Sequence, residues 1–195
     1  MNKINIPPEQ VFCPQPMYAI GTYNDDGAPN FCIITWIGFN WNGGPHIMLG
    51  IGGAKRTKDN ILRDQVFSAN LVSADMVWLA DYFGCSRGYD GRKDRVAYDC
   101  APGAALHVPV LDRSKWVFEC KVSKTVELDG SHIFISKIAN IQIAEQFKSM
   151  NLEMIDLMQL DPVLYAPYNY FALGQKLGDC GEWEKHFPGA GESEV

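Results

Sequence analysis

The stretch Pro45-His-Ile-Met-Leu-Gly-Ile-Gly-Gly-Ala-Lys-Arg-Thr-Lys-Asp-Asn-Ile61 carries an apolar strand into two glycines, a basic turn and a helix start. Thr57 is the expected N-cap, because a threonine hydroxyl accepts a hydrogen bond from an amide of the first helical turn. Lys55, Arg56 and Lys58 surround a helix N-terminus whose partial positive charge already favours an anion. The stretch therefore predicts a site for the phosphate of a cofactor, with a solvated basic turn as the alternative.

The composition is that of an ordinary globular chain with an acidic balance. The 195 residues are 47% hydrophobic and 21% charged, which is enough for one sizeable core. The net charge of −6 argues against nucleic acid or an anionic membrane as the main partner, so the basic turn is a local exception. No signal peptide and no stretch of transmembrane length is visible, which predicts a cytoplasmic protein.

The cysteines and histidines form no recognisable metal or redox motif. The six cysteines include no C-x-x-C pair, and the four histidines have neither H-x-x-x-H nor H-E-x-x-H spacing. Most of the cysteines are expected to be small buried residues in a reducing compartment. Cys85 borders a glycine-rich charged loop, but it has no motif-linked partner thiol, so we expect no cysteine to be needed for electron transfer.

The predicted elements are mostly strands, with hairpins at two Asp-Gly turns. Asp26-Gly27 and Asp129-Gly130 supply the positive φ angles that a tight hairpin needs. Short helices are expected at 57–63, 75–84 and 150–160. Strands are expected at 16–24, 30–38, 46–51, 66–72, 116–128 and 132–144, and a final element at 165–173.

This order predicts a mainly β chain (α+β), an antiparallel barrel or sandwich with few helices. The regularly alternating helices of a Rossmann sheet are missing, and Gly50-Ile-Gly-Gly53 is not G-x-G-x-x-G, which excludes a dinucleotide fingerprint. We expect a single domain over 1–177 and a flexible C-terminal tail over 178–195, which is rich in Gly, Glu and Ser.

Several motifs follow one another along the chain in an informative order. They are Gly27-Ala-Pro-Asn30 ahead of Thr35-Trp36, Arg56-Thr57-Lys58-Asp59-Asn60-Ile61, Phe67-Ser-Ala-Asn70, the loop Ser86 to Arg95, Glu119-Cys-Lys-Val122 with His132-Ile-Phe-Ile135, and Tyr165 to Gly174. In this order they resemble the flavin reductase-like family of FMN-binding split barrels, and the flavoredoxin branch in particular. The loop is longer than the family's S-G-R-D-x-D-K pattern and has Arg95 where lysine is usual, and Ser136-Lys137 replaces a common Gly-Glu.

The resemblance implies an antiparallel FMN-binding split β-barrel with a few short helices, and it implies the residues of its site. The flavin carries its own redox chemistry, so no catalytic side chain is expected. Expected at the cofactor are Thr35, Trp36, Ile37, Lys55, Arg56, Thr57, Asn70, Ser86 and His132, and expected in the substrate loop are Arg87, Lys93, Asp94 and Arg95.

Four of these assignments have structural alternatives. Trp36 has the properties of a core aromatic residue, Asn70 those of a satisfied buried amide, and His132 those of an exposed turn residue. The loop that contains Arg87 is equally compatible with a mobile surface segment.

The leading hypothesis is an FMN-dependent oxidoreductase that transfers electrons from NAD(P)H or a protein donor to an acceptor. The resemblance implies a homodimer in which the second chain completes the pocket. Two alternatives remain open: a non-catalytic flavin-binding or electron-carrier protein, and a pyridoxamine-phosphate oxidase-like split barrel. The latter enzyme should have a differently placed basic cluster for a second phosphate.

Overall fold

A computed structural model describes residues 3–8, 14–148, 156–180 and 182, with only the backbone of Asp94. The strands are β1 Gln15–Pro16, β2 Tyr18–Tyr23, β3 Pro29–Ile34, β4 Ile37–Asn40, β5 His46–Gly52, β6 Val66–Leu71, β7 Cys100–Pro102, β8 Pro109–Leu111, β9 Trp116–Leu128, β10 Ser131–Ile143, β11 Val163–Ala166 and β12 Asn169–Ala172. The α-helices are α1 Arg56–Asp64, α2 Val77–Cys85 and α3 Leu157–Leu160, with short 3₁₀ turns at 74–76, 92–95 and 145–147.

One antiparallel sheet dominates the fold and curls on itself. Its seven strands run in the order β3-β2-β6-β9-β10-β5-β4, and its two edge strands are consecutive in sequence. Only Thr35 and Trp36 separate β3 from β4. The edges of a flat seven-stranded sheet would lie about 29 Å apart, whereas three Cα–Cα steps span at most about 11 Å. The sheet must therefore curl until its edges approach each other, which makes it a barrel.

The two faces of the curled sheet pack against different layers. Along β2, Tyr18 and Ile20 point into the barrel interior, while Ala19 points to the outer face. Helix α2 covers that outer face, and its Phe83 ring lies 5.6 Å from the ring of Phe31 on β3. The alternation along the strand and the helical spacing of buried residues along α2 produce these two apolar clusters.

The predicted fold class is confirmed, with local corrections to the element boundaries. The strand expected at 30–38 is two strands, because the chain crosses between the sheet edges at Thr35 and Trp36. The helix expected at 57–63 begins at Arg56, and the final element expected at 165–173 belongs to the hairpin of β11 and β12. Of the helix expected at 150–160 the structure has residues 157–160, while 149–155 lie outside the described residues.

Other predictions remain as they were or lie beyond the described part of the chain. The second Asp-Gly hairpin forms as predicted, with φ of 44° at Asp129 and 79° at Gly130. Most of the predicted tail, 181 and 183–195, lies outside the described residues. Within the described ranges, no helix has the length and apolar character needed to cross a membrane.

A buried carboxylate fixes the segment 103–107 against the long hairpin of β9 and β10. Glu119 is fully buried and accepts hydrogen bonds from the backbone amides of residues 104, 105 and 106, at 2.7–3.0 Å. Asn140 and Gln142 donate to its Oε1 at 2.7 and 2.8 Å. Burial alone would raise the pKa of Glu119, but these hydrogen bonds outweigh it and the pKa is lowered.

We predict that Glu119→Gln lowers the free energy of unfolding by about 3 kcal/mol. The glutamine NH₂ group would replace one acceptor oxygen by a donor, and that donor would face the N–H groups that now bind the carboxylate. Urea unfolding at pH 7 measures this loss, with Glu127→Gln on the exposed end of β9 as the control. The contribution of the carboxylate to the free energy of unfolding is complete above its ordinary pKa of 4.5. It is lost as the pH falls through the lower pKa of Glu119 in the folded state. The free energies of unfolding of wild type and Glu119→Gln should therefore converge in acid, and a difference between them that stays constant with pH would contradict this role.

Candidate cofactor site

Two adjoining cavities lie between edge strand β3, helix α2 and the turn that leads from β5 into α1, and they share Ile33, Lys55, Gly84 and Cys85. The first, of about 430 Å³ and here called the basic cavity, is also lined by Asn30, Cys32, Ala54, Arg56, Thr57, Phe83, Ser86, Arg87, Gly88, Tyr89 and Lys93. The second, of about 460 Å³ and here called the aromatic cavity, is also lined by Met17, Ile34, Thr35, Trp36, Gly50, Gly52, Ala80, Tyr165, Pro167, Tyr168 and Tyr170.

Helix α1 begins at the basic cavity, one residue earlier than the sequence predicts. Lys55 is the N-cap, with extended backbone and no side-chain cap. The expected cap, Thr57, is already inside the helix, and its hydroxyl accepts a hydrogen bond from Asn30 Nδ2 at 2.8 Å. The N-cap prediction for Thr57 is therefore wrong, because a tertiary hydrogen bond takes its oxygen. The amides of Arg56 and Thr57 precede the first intrahelical hydrogen bonds, which are those to the Lys55 carbonyl.

A buried polar network holds this helix start against the hairpin of β2 and β3. Thr22 Oγ1 accepts from Asn30 Nδ2 at 3.3 Å and from Asn60 Nδ2 at 3.0 Å. Asn60 also donates to Asn24 Oδ1 at 3.0 Å. Since Asn30, Thr57 and Asn60 are all at most 4% exposed, any displacement of α1 would leave buried polar groups unpaired. The position of the basic turn is thus fixed from beneath.

Four cationic residues line the basic cavity, and no carboxylate is among its described lining residues. They are Lys55, Arg56, Arg87 and Lys93. Lys93 is only 8% exposed, and its ammonium donates to the Phe31 carbonyl. Burial lowers the pKa of Lys93; the charge of Lys55 adds to this shift and the Asp90 carboxylate opposes it. Arg56 Nε is buried with no hydrogen-bond partner among the described residues. A cavity with these uncompensated cations is suited to an anion.

Most of the residues predicted for the site line one of the two cavities. Thr35 and Trp36 line the aromatic cavity, and the basic cavity takes Arg56, Thr57, Ser86, Arg87 and Lys93, with Lys55 in both. Trp36 is 46% exposed, so the core alternative for it is wrong. Ile37 packs against the barrel core instead. Arg95 is exposed and lines neither cavity, and the Asp94 side chain is not among the described parts of the structure.

Asn70 is a satisfied buried amide rather than a group facing the cavities. Its Nδ2 donates to the Ala19 carbonyl and to Ser68 Oγ, both at 2.9 Å, and its Oδ1 accepts from the Leu111 amide at 2.9 Å. Both amide hydrogens are therefore used inside the protein. The structural alternative is the correct one for this residue, and its assignment to the cofactor is corrected.

His132 lines neither cavity, although its strand neighbours pair with Gly50 and Gly52 of the aromatic cavity. It is half-buried at the start of β10, where it pairs with Ile51 of β5, and its ring centre is 6.0 Å from that of Phe134. Its Nδ1 is buried without a partner among the described residues. The exposed-turn alternative is wrong, because the residue is half-buried and already within the sheet.

The sequence offered weaker signals for several residues that the structure brings to the site. Asn30 closes the Gly-Ala-Pro-Asn motif, but nothing local shows that it bonds Thr57 across 27 residues. Gly88 and Tyr89 lie in the charged loop, and the unusual length of that loop was the one signal for them. The three tyrosines of the aromatic cavity came only as part of the Tyr165 to Gly174 motif.

Cys85 lines both cavities, and the groups that shift its pKa among the described residues all disfavour the thiolate. Its thiol donates to Asp81 Oδ1 at 3.8 Å. Burial raises the pKa of Cys85, and the Asp81 carboxylate raises it further. A thiol in this state is a poor nucleophile and a poor redox group at neutral pH.

An antiparallel split barrel with a cationic cavity at a helix start is the class of protein that these features define. The chain belongs to the flavin reductase-like family, since the family model described as "Flavin reductase like domain" matches residues 11–174. The predicted family is confirmed, and with it a flavin-related oxidoreductase function. Among curated protein sequences, none matches the chain.

Solved structures share the fold over nearly the whole chain. Flavoredoxin from Methanosarcina acetivorans is 24% identical, with a TM-score of 0.85, covering 96% of this chain and 100% of that one. Flavoredoxin of Desulfovibrio vulgaris (Miyazaki F) is 24% identical, with a TM-score of 0.82 and coverage of 92% and 98%. An FMN-binding protein from Thermus thermophilus with bound p-hydroxybenzaldehyde is 15% identical, with a TM-score of 0.74 and coverage of 92% and 97%. At these identities the likeness establishes the fold.

We predict that inorganic phosphate stabilises the protein through Lys93. Even a site with a Kd of about 1 mM should raise the melting temperature by about 4 °C at 10 mM phosphate. Lys93→Met should abolish this rise, and it should stabilise the phosphate-free protein because it removes a buried unpaired charge. Lys148→Met, at an exposed lysine, is the control.

The rise in melting temperature with phosphate should also weaken as the pH rises. Because the pKa of Lys93 is lowered, its ammonium loses its charge at a pH below the ordinary lysine pKa of 10.5. Differential scanning fluorimetry in phosphate and in chloride at equal ionic strength measures both effects. A Lys93→Met variant with the full wild-type response would contradict the role given to this lysine.

Proposed function

We propose that this chain is an FMN-dependent oxidoreductase that transfers electrons from NAD(P)H or a protein donor to an acceptor. The observation that carries the proposal is the pair of adjoining cavities. One is lined by cationic residues, with no carboxylate among its described lining residues, and the other is lined by aromatic residues. A phosphorylated ligand with a planar ring system has these two chemical parts. FMN has both, and the name of the Thermus thermophilus FMN-binding protein gives the proposal further support.

The residues present fit this cofactor. Arg56 Nε, buried without a described partner, and the buried Lys93 ammonium supply positive charge for a phosphate monoester. The first amides of α1 add donors at the same place. Thr35 and Trp36 lie at the aromatic cavity, where backbone groups and an indole suit a planar heteroaromatic ring.

A bound flavin would supply the hydride and electron chemistry, and the protein would bind and orient it. Because the pKa of Cys85 is raised and its thiolate disfavoured, the proposal includes no thiol relay beside the ring. Ile37, Asn70 and His132, which the family resemblance placed at the cofactor, line neither cavity, so they are left out of the proposed site.

The two alternatives make different demands on the same site. A pyridoxamine-phosphate oxidase-like enzyme needs a second basic cluster, yet the aromatic cavity has Lys55 as its one described cationic lining residue, and that lysine is shared with the basic cavity. A non-catalytic flavin carrier needs the same cavities as the enzyme, so only reduction kinetics separates the two.

We predict one FMN per chain and its reduction under anaerobic conditions by NADH, NADPH or a reduced protein donor. Thr57→Val with Lys55→Ala should weaken binding at least tenfold, because Lys55 contributes a charged contact and the Asn30–Thr57 hydrogen bond fixes the helix start. Lys124→Ala, on an exposed part of β9, is the control. Flavin fluorescence titration and stopped-flow absorbance measure the two properties. A reconstituted protein without a bound flavin spectrum would refute the proposal.

We also propose that the protein is a homodimer whose second chain covers the aromatic cavity. Trp36 and Met48 are 46% and 43% exposed, and both border the outer surface of β4 and β5. Gly38 and Gly50 lie between them and keep this surface flat, so it is an apolar face that a second copy would bury. Light scattering should give twice the chain mass of 21.8 kDa, and Met48→Glu should give monomers with weaker FMN binding. A wild-type monomer that holds FMN tightly would exclude this arrangement.

A further inference from the structure

The loop of residues 86–95, here called the cover loop, folds down over the start of helix α1. Its C-terminal half is attached at two points. The Tyr82 hydroxyl donates to the Arg92 carbonyl, and the Lys93 ammonium donates to the Phe31 carbonyl of β3. The other half of the loop includes residues 86–89, which line the basic cavity, so its attachment decides how open that cavity is.

Tyr89 makes two contacts that attach this half of the cover loop to α1. Its hydroxyl donates to Asp59 Oδ2. Its ring packs against Arg56, whose guanidinium carbon is 5.0 Å from the ring centre. Burial and the hydrogen bond to Asp59 raise the pKa of Tyr89 to about 12, so the hydroxyl remains a donor at neutral pH. A cation above an aromatic face is attracted to it and loses conformational freedom.

At Gly88 the backbone of the cover loop lies so close to α1 that a side chain would not fit without a shift. A Cβ atom at Gly88 would lie 2.9 Å from Arg56 Cβ and 2.9 Å from Asn30 Oδ1. Arg56 is therefore enclosed by Gly88 on one side and by the Tyr89 ring on another. A long cationic side chain at a helix start is otherwise free to turn into solvent.

We propose that Tyr89 is a positioning residue that clasps the cover loop to α1 and holds Arg56 against the phosphate monoester of the bound ligand. This inference rests on the proposed function and adds to it the part of the ligand that the loop retains. Release of a phosphate-bearing flavin then requires the contacts of Tyr89 to open, whereas a flavin without phosphate leaves without that step. Tyr89 is 49% exposed, so the barrel core does not depend on its side chain.

The clasp predicts a rate difference that depends on the phosphate. Tyr89→Phe keeps the ring and loses the Asp59 bond, and should release FMN about fivefold faster. Tyr89→Ala loses both contacts and should release it about thirtyfold faster. Riboflavin, which lacks the phosphate, should leave all three proteins at one rate. Recovery of flavin fluorescence after dilution measures these rates, and equal effects on FMN and riboflavin would overturn the assignment.

Substitution of Asp59 separates the clasp from simple electrostatics. Loss of a carboxylate near a cationic cavity should by charge alone slow the release of an anion. The clasp predicts the reverse, because Asp59→Ala removes the acceptor of the Tyr89 hydroxyl, so FMN should leave about fivefold faster. Asp64→Ala removes the same charge from the other end of α1, where Asp64 pairs with Arg63, and should not speed release. Slower release from Asp59→Ala would refute the proposal.

A measurement on flavin-free protein tests the clasp independently of any cofactor. Trypsin cleaves after Arg87 and Arg92 when the cover loop opens, so Tyr89→Ala should be cut there severalfold faster than wild type. Unchanged cleavage would show that Tyr89 does not hold the loop. If wild-type protein binds no FMN, the proposed function is wrong; if it binds FMN and the Tyr89 variants release it at the wild-type rate, only the clasp is refuted.

Discussion

Two residues, Thr35 and Trp36, connect opposite edges of a seven-stranded sheet, and this short link determines the shape of the molecule. A connection of three Cα steps cannot span a flat sheet of that width, so the sheet closes and its apolar inner face becomes the core. The aromatic cavity lies beside this link, since Thr35 and Trp36 line it together with Ile33 and Ile34 of β3 and Gly50 and Gly52 of β5. The Trp36 carbonyl accepts from the Gly50 amide at 2.9 Å, which ties the link to the end of β5 and so to the basic turn.

The buried cations of the basic cavity destabilise the folded protein when no anion is bound, and the surrounding structure compensates for this loss. A buried lysine and a buried guanidinium nitrogen without a described partner each oppose folding in the absence of an anion, by up to several kcal/mol for a full charge. The network of Thr22, Asn30, Thr57 and Asn60 opposes relaxation of the helix start, because its members are buried and bonded to one another. A rigid frame thus holds cations in an arrangement that an anionic ligand makes favourable, which is the preorganisation expected of a binding site.

The sequence predicted the features that depend on near neighbours. Alternating strands, Asp-Gly hairpins and the basic turn after β5 are all visible within short windows, and the order of motifs indicated the family. Features that depend on distant contacts were not predictable. Asn70 is a structural residue because its amide meets Ala19, 51 residues away, and Lys93 is buried because its loop reaches Phe31, 62 residues away. Thr57 lost its expected capping role to Asn30 for the same reason, since tertiary hydrogen bonding overrides a local preference.

Phosphorus NMR of the protein reconstituted with FMN tests the central claim most directly, because it observes the phosphate itself. Free FMN has a second phosphate pKa near 6, so its signal moves between about pH 5 and 8. A phosphate held by Arg56, Lys93 and the first amides of α1 should remain dianionic, and its signal should be displaced from that of free FMN and constant over this range. A bound flavin whose phosphate titrates like the free compound would contradict the account.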